Sequence, residues 1–241
     1  MSEQGHIKNV ANFGRYISYV IGYGAAYVPI NPVIELPKLQ TRQTAFQTVI
    51  DAVTPKASAE TLAVNARQAA FDDLQKLAPR ILAAADAATA DQLFSNDLRS
   101  IVRKLQGRRA APKAKDNPLT PDVDESKQTA SSAQMSYDNQ IGFFAELIGL
   151  LKANAAYNPN EADLKISALE ARLADLEAKN QAAITTVAEA RTARNNRDAV
   201  LYDNPEGVKE LADLIKKYVK SLYGASSPQL KQLQALKFKK P

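Results

Sequence analysis

A single histidine and no cysteine leave few side chains for catalysis in this 241-residue chain. His6 stands in "MSEQGHIK", read as a frayed N-terminus, which excludes a histidine general base, a nucleophilic triad or a multi-histidine metal site. Without cysteine there is no thiolate metal site and no disulfide framework. The "GYG" at 22–24 falls within a helical pattern and lacks a following Gly-Lys-Ser/Thr, so it cradles no phosphate. Acidic residues are many, but they fall on outward faces beside lysines. Asp72 and Asp73 are adjacent, so a helix points them in different directions and no carboxylate pair forms for acid–base work. No cofactor and no metal are expected, and the chain is read as non-enzymatic.

Three other groups of residues invite a role in binding. Tyr16, Tyr19, Tyr23 and Tyr27 recur at spacings of 3, 4 and 4, one stripe along a helix. Such a stripe packs inside its own bundle or, tyrosine being large and apolar with a polar tip, serves self-association. The second group is basic: Arg103, Lys104, Arg108, Arg109, Lys113 and Lys115 run without an intervening acid, and Lys237, Lys239 and Lys240 crowd the tail. These could grip phosphates, though cations also suit a helix C-terminus, and no aromatic stacking platform accompanies them. The third is Asn180, the one polar member of an apolar seam. A buried asparagine there sets register at a cost in stability, so leucine in its place should raise the melting temperature.

The elements that position these residues are stated twice. "AAYVPINPVIELPKL" at 25–39 and "AAYNPNEADLKISAL" at 155–169 align without a gap at an offset of 130. Upstream, Phe13, Ile17 and Val20 meet Phe143, Leu147 and Leu150 in that alignment, and a period this long indicates a duplicated domain. On the same alignment the tyrosine stripe meets Glu146, Gly149, Ala153 and Tyr157, a surface that differs between the copies. In each copy an apolar first helix (about 9–26 and 138–156) ends at a Tyr-x-Pro corner, because proline lacks a donor and drives its predecessor out of the helical region. Pro37 suits a first helical turn, and Asn160 with Asp163 resembles a cap.

The long helix of the second copy carries Ile166, Leu169, Leu173, Leu176, Asn180, Ala183, Val187 and Ala190 at alternating three and four residues, a coiled-coil seam ending near Tyr202 at "DNPEG". In the first copy Pro55 is expected to break the second helix and Pro79 to kink or restart a third. Amphipathic helices close each copy before Gly107 and Gly224, and a short helix opens at Pro228. The fold class is therefore all-α: two related antiparallel helical bundles, 1–107 and 137–241, joined by a proline- and serine-containing flexible linker at 108–136.

Net charge is +5, yet each bundle is close to neutral and the basicity gathers at the linker and tail. The uncharged run Tyr16–Ile34 is broken by prolines and too short to span a bilayer, so no transmembrane segment and a cytoplasmic location are expected. "MSYDNQIGFFAELIGLL", "YNPNEADLKISALEARLADLEAKN", "ARNNRDAVLY" and "YVKSLYGASSPQLKQLQALKF" resemble a family of uncharacterised bacterial all-helical proteins. The resemblance covers residues 135–238 and extends loosely to the first copy through "RKLQGRR" and the corner. It implies a helical fold and brings no site residues. The leading function is a structural or interaction protein that self-associates as a homo-oligomer or with a protein partner. The alternative is a binder of nucleic acid or an anionic surface, separable by its steep loss with salt.

Overall fold

The computed structural model describes residues 3–108 and 135–239. Among them all regular structure is helical: α1 (Glu3–Gly22), α2 (Leu36–Ala88), α3 (Gln92–Leu105), α4 (Tyr137–Ala153), α5 (Ile166–Leu201), α6 (Val208–Tyr223) and α7 (Pro228–Ala235). Local chemistry sets most of the ends. Asp91 accepts from the amides of Leu93 and Phe94 to start α3, Ser136 accepts from Asn139 to start α4, and Ser227 does the same for α7 with Pro228 in its first turn. Gly107 and Gly224, with φ of 65° and 90°, occupy the left-handed region that ends α3 and α6.

The two corners are built alike. Tyr27 donates its hydroxyl to the Ile34 carbonyl at 2.9 Å, and Tyr157 donates to Leu164 at 2.8 Å. A 3-10 turn (Pro32–Ile34, Ala162–Leu164) follows each corner tip and leads into the long helix. The tyrosine of Tyr-x-Pro thus closes the corner by donating to the last carbonyl of the 3-10 turn that leads into the long helix. The expected Asn160–Asp163 cap does not form: no side chain caps the second 3-10 turn, and Asp163 pairs with Arg80 at 2.5 Å.

The compact units cut across the two expected bundles. One unit comprises Met1–Glu60 with Thr186–Pro241, the other Thr61–Thr185. The first core joins Val10, Phe13, Tyr16 and Phe46 to Leu201, Leu211, Ile215 and Leu233; the second joins Phe71, Leu74, Ile81 and Leu98 to Phe144, Leu147, Leu169 and Leu176. Each core thus takes the opening helix, corner and first stretch of long helix from one half of the chain. Its remaining stretch of long helix and its closing helix come from the other. The physical cause is helix length. α2, 53 residues, and α5, 36 residues, are continuous, so the two ends of each contribute to different cores.

Continuity of α2 overturns the expected break at Pro55 and the expected restart at Pro79. Both prolines are exposed, as are Asp51 and Gln75, whose carbonyls lose an amide partner. Water can hydrate those carbonyls, so each proline costs about 3 kcal/mol of helix propensity without burying an unpaired polar group. Leu39, Phe46 and Val53 before residue 60 and Leu74, Ala78 and Ile81 after it are all buried, so packing supports both stretches of the continuous helix.

Burial also shifts the alignment of the opening helices by one residue. Phe13, Tyr16, Ile17 and Val20 match Phe144, Leu147, Ile148 and Leu151, all buried, at an offset of 131. The extra residue lies in the corner: four residues separate Gly22 from Tyr27, three separate Ala153 from Tyr157. On this register Tyr16 and Tyr19 match Leu147 and Leu150, apolar for apolar, instead of Glu146 and Gly149.

Candidate functional site: the α1 stripe and the surfaces around it

α1 is held on one side by its apolar stripe and on the adjoining side by polar groups. Tyr16 is fully buried and donates to the Leu233 carbonyl at 2.7 Å; Tyr27 is buried in its corner and meets Tyr218 edge-on at 5.0 Å between ring centroids. Tyr23 is half-buried, donates to the Gln229 carbonyl at 3.4 Å and packs on Tyr223. Tyr19 is half-buried against the same core. Tyr16 and Tyr27 are therefore internal, which corrects the stripe as a self-association surface at these two positions. Burial pushes both hydroxyls well above the usual phenol range, as expected for groups that stay protonated and donate.

Next to the tyrosines, His6, Asn9 and Asn12 are all but fully buried. Asn9 donates to the Lys239 carbonyl at 2.7 Å and accepts the Lys239 amide at 3.1 Å, so one side-chain amide reads both backbone groups of one residue. Asn12 donates to the Lys237 carbonyl at 2.9 Å. Asn9 also donates to the Tyr202 hydroxyl at 3.1 Å, and that hydroxyl lies 2.9 Å from His6 Nδ1. Burial, with the Arg197 charge close by, holds the His6 imidazole below its ordinary value. It is thus mostly neutral at pH 7, with Nδ1 at hydrogen-bond distance from the Tyr202 hydroxyl. The sequence reading placed His6 in a frayed end. Its burial follows from α1 starting at Glu3, whose carboxylate pairs with buried Arg197 at 2.5 Å. The signal available in the sequence was the three-residue spacing of His6, Asn9 and Asn12, which places them on one side of α1 beside Val10, Phe13 and Tyr16.

Asn180 is buried and fully engaged. Its Oδ1 accepts from Arg67 at 3.2 Å and its Nδ2 donates to Asp138 at 2.7 Å, while the Arg67 guanidinium lies 4.1 Å over the Tyr137 ring. Within the second unit the seam packs with residues of α2 and α4, and Val187 falls off it, 39 % exposed.

The described basic candidates belong to different units. Arg103 and Lys104 end α3, Lys104 sitting over Phe143, with Arg108 just beyond. Lys237 and Lys239 belong to the strap held by Asn12 and Asn9. Arg109, Lys113, Lys115 and Lys240 lie outside the described residues. An open groove of about 380 Å³ in the second unit is lined by Asp73, Lys76, Arg80, Asp163 and Arg172, but its charges pair with one another.

The first corner carries what the second does not. Ile30 is 100 % exposed, Val28 71 % and, at the end of α1, Ile21 52 %. The matching residues of the second corner and of α4 are Asn160, Asn158 and Lys152, all exposed. No protein-family model, curated protein or solved structure matches the chain. Among the described residues no helix is long and apolar enough to cross a membrane.

Proposed function

We propose that the protein is a non-enzymatic interaction protein that self-associates through helical surfaces, an internal duplication having left its two corners with unlike faces. The observation that supports this is the apolar first corner. Single exposed apolar residues are ordinary on any protein. Here three fall at the turn out of α1, and the matching positions of the second corner and α4, Lys152, Asn158 and Asn160, are polar. Burying an isoleucine side chain is worth about 1.5–3 kcal/mol, which Ile30 recovers only against another surface. An apolar corner meeting a different surface of the next copy is a head-to-tail contact. Such contacts give rings or open filaments instead of two-fold dimers.

Light scattering across a concentration series, at low and high salt, tests the reading. Mass should rise with concentration and persist or grow at high salt, since apolar contacts are not screened. A mass fixed at that of one chain up to the solubility limit contradicts it, and association that dissolves steeply with salt transfers the role to the basic residues.

A further inference from the structure

Asn9, Asn12 and Tyr16 of α1, and Tyr23 just beyond its end, each bond to a main-chain group of the C-terminal arm. In chain order their partners are Lys239, Lys237, Leu233 and Gln229, an antiparallel ladder. The arm adds few side-chain anchors of its own: Leu230 and Leu233 are buried, and Phe238 meets Tyr16 edge-on at 5.2 Å. It hangs from α6 by Gly224–Ser227, a connection that turns on a glycine at φ 90°. α4 lacks the ladder, having Gln140, Phe143 and Leu147 where α1 has Asn9, Asn12 and Tyr16.

We propose that this side of α1 is a receptor for the C-terminal arm of a second copy of the chain, residues 228–239 being exchanged between copies about the 224–227 hinge. Each arm presents the same carbonyls, amide and leucines, so the contacts made within one chain are all available between two. The closed monomer and the exchanged assembly then differ in the hinge and in the entropy of association, not in the interface. One receptor and one arm per chain permit a reciprocal dimer, or an open series if each arm passes to the next copy. The exchange rests on the self-association reading and names a partner for it, but it uses a different surface from the corner.

The test shortens the hinge. Deleting Ala225 and Ser226 leaves arm and receptor intact while preventing the arm from turning back on its own α1. The deletion is made in the full chain with Val28→Asn and Ile30→Asn also present, so the corner surface plays no part. Size-exclusion chromatography with light scattering should then show twice the monomer mass, and adding Asn9→Leu with Asn12→Leu should return it to one chain. A shortened chain that stays monomeric with normal helicity overturns the proposal, as does a dimer indifferent to the asparagine changes. Should the shortened chain not fold, a fluorescent peptide of residues 228–239 is titrated onto the full-length protein. It should bind at least tenfold more weakly to the Asn9→Leu/Asn12→Leu chain, and equal or absent binding to both overturns the proposal. Loss of corner-mediated association with arm exchange intact, or the reverse, separates failure of one reading from failure of the other.

Discussion

Asn180→Leu should destabilise the protein, the opposite of what its place on an apolar seam predicts. Two hydrogen bonds disappear, one from Arg67 at 3.2 Å and one to the Asp138 carboxylate at 2.7 Å. Bonds to charged groups contribute about 1.5–3 kcal/mol each. Arg67 suffers further, because its Nε is already buried without a partner and the remaining contact is the Tyr137 ring. Leucine regains about 1.5–3 kcal/mol by burial. The balance is a loss of about 1–3 kcal/mol, or roughly 2–12 °C in melting temperature for a chain of this size. Circular dichroism at 222 nm measures it, with Asp138→Asn and the double variant completing a cycle that should show coupling of about 0.5 kcal/mol or more. A melting temperature that rises in Asn180→Leu, or a cycle without coupling, refutes the network as the reason for the asparagine.

Two further outcomes follow from the cores. His6 has a folded pKa below its unfolded value, so its contribution to stability is complete above about pH 6.5 and is lost as pH falls through the folded value. Thermal melts should weaken between pH 7 and 5.5 in the wild type and flatten over that window in His6→Asn; identical slopes in the two would show that His6 titrates as freely in the fold as out of it. Because each core needs both halves of the chain, fragments 1–108 and 135–241 expressed separately should be poorly helical and should regain cooperative melting when mixed one to one. Two fragments that each melt cooperatively alone would restore the independent bundles first expected.

Periodicity made much of this structure legible before any coordinates. The corner tyrosines, the stops at Gly107 and Gly224, the α5 end at "DNPEG" and the start of α7 at Pro228 all follow from local rules, and all are present. What a helical period cannot say is which helix a buried face meets. The stripe through Leu39 and Phe46 fits a partner in its own copy as well as one in the other, and only the unbroken lengths of α2 and α5 decide it. Pro55 and Pro79 misled because proline's penalty is local and finite, while the burial on either side of them is not local. The extra residue in the first corner was hidden by the repeated Ala-Ala-Tyr, which aligns without a gap and so misplaced the tyrosine stripe by one position. That single slip set Tyr16 against Glu146 instead of Leu147, making a core stripe resemble a diverged surface. The arm's seat was illegible for another reason: Asn9 and Asn12 recognise main chain, which leaves no complementary side-chain pattern at Lys237–Lys239 to find.

Sedimentation velocity on the wild type and on Val28→Asn/Ile30→Asn, run at matched concentrations, tests the self-association reading most directly. These substitutions install the residues of the second corner, Asn158 and Asn160, at positions 71 % and 100 % exposed, so folding stability should change by no more than about 0.5 kcal/mol. The wild type should sediment faster as concentration rises, and the variant should lose the corner-mediated part of that rise, with no species larger than an arm-exchanged dimer and with unchanged helicity. Association of the variant equal to that of the wild type, or a wild type that sediments as one chain throughout, would contradict the account.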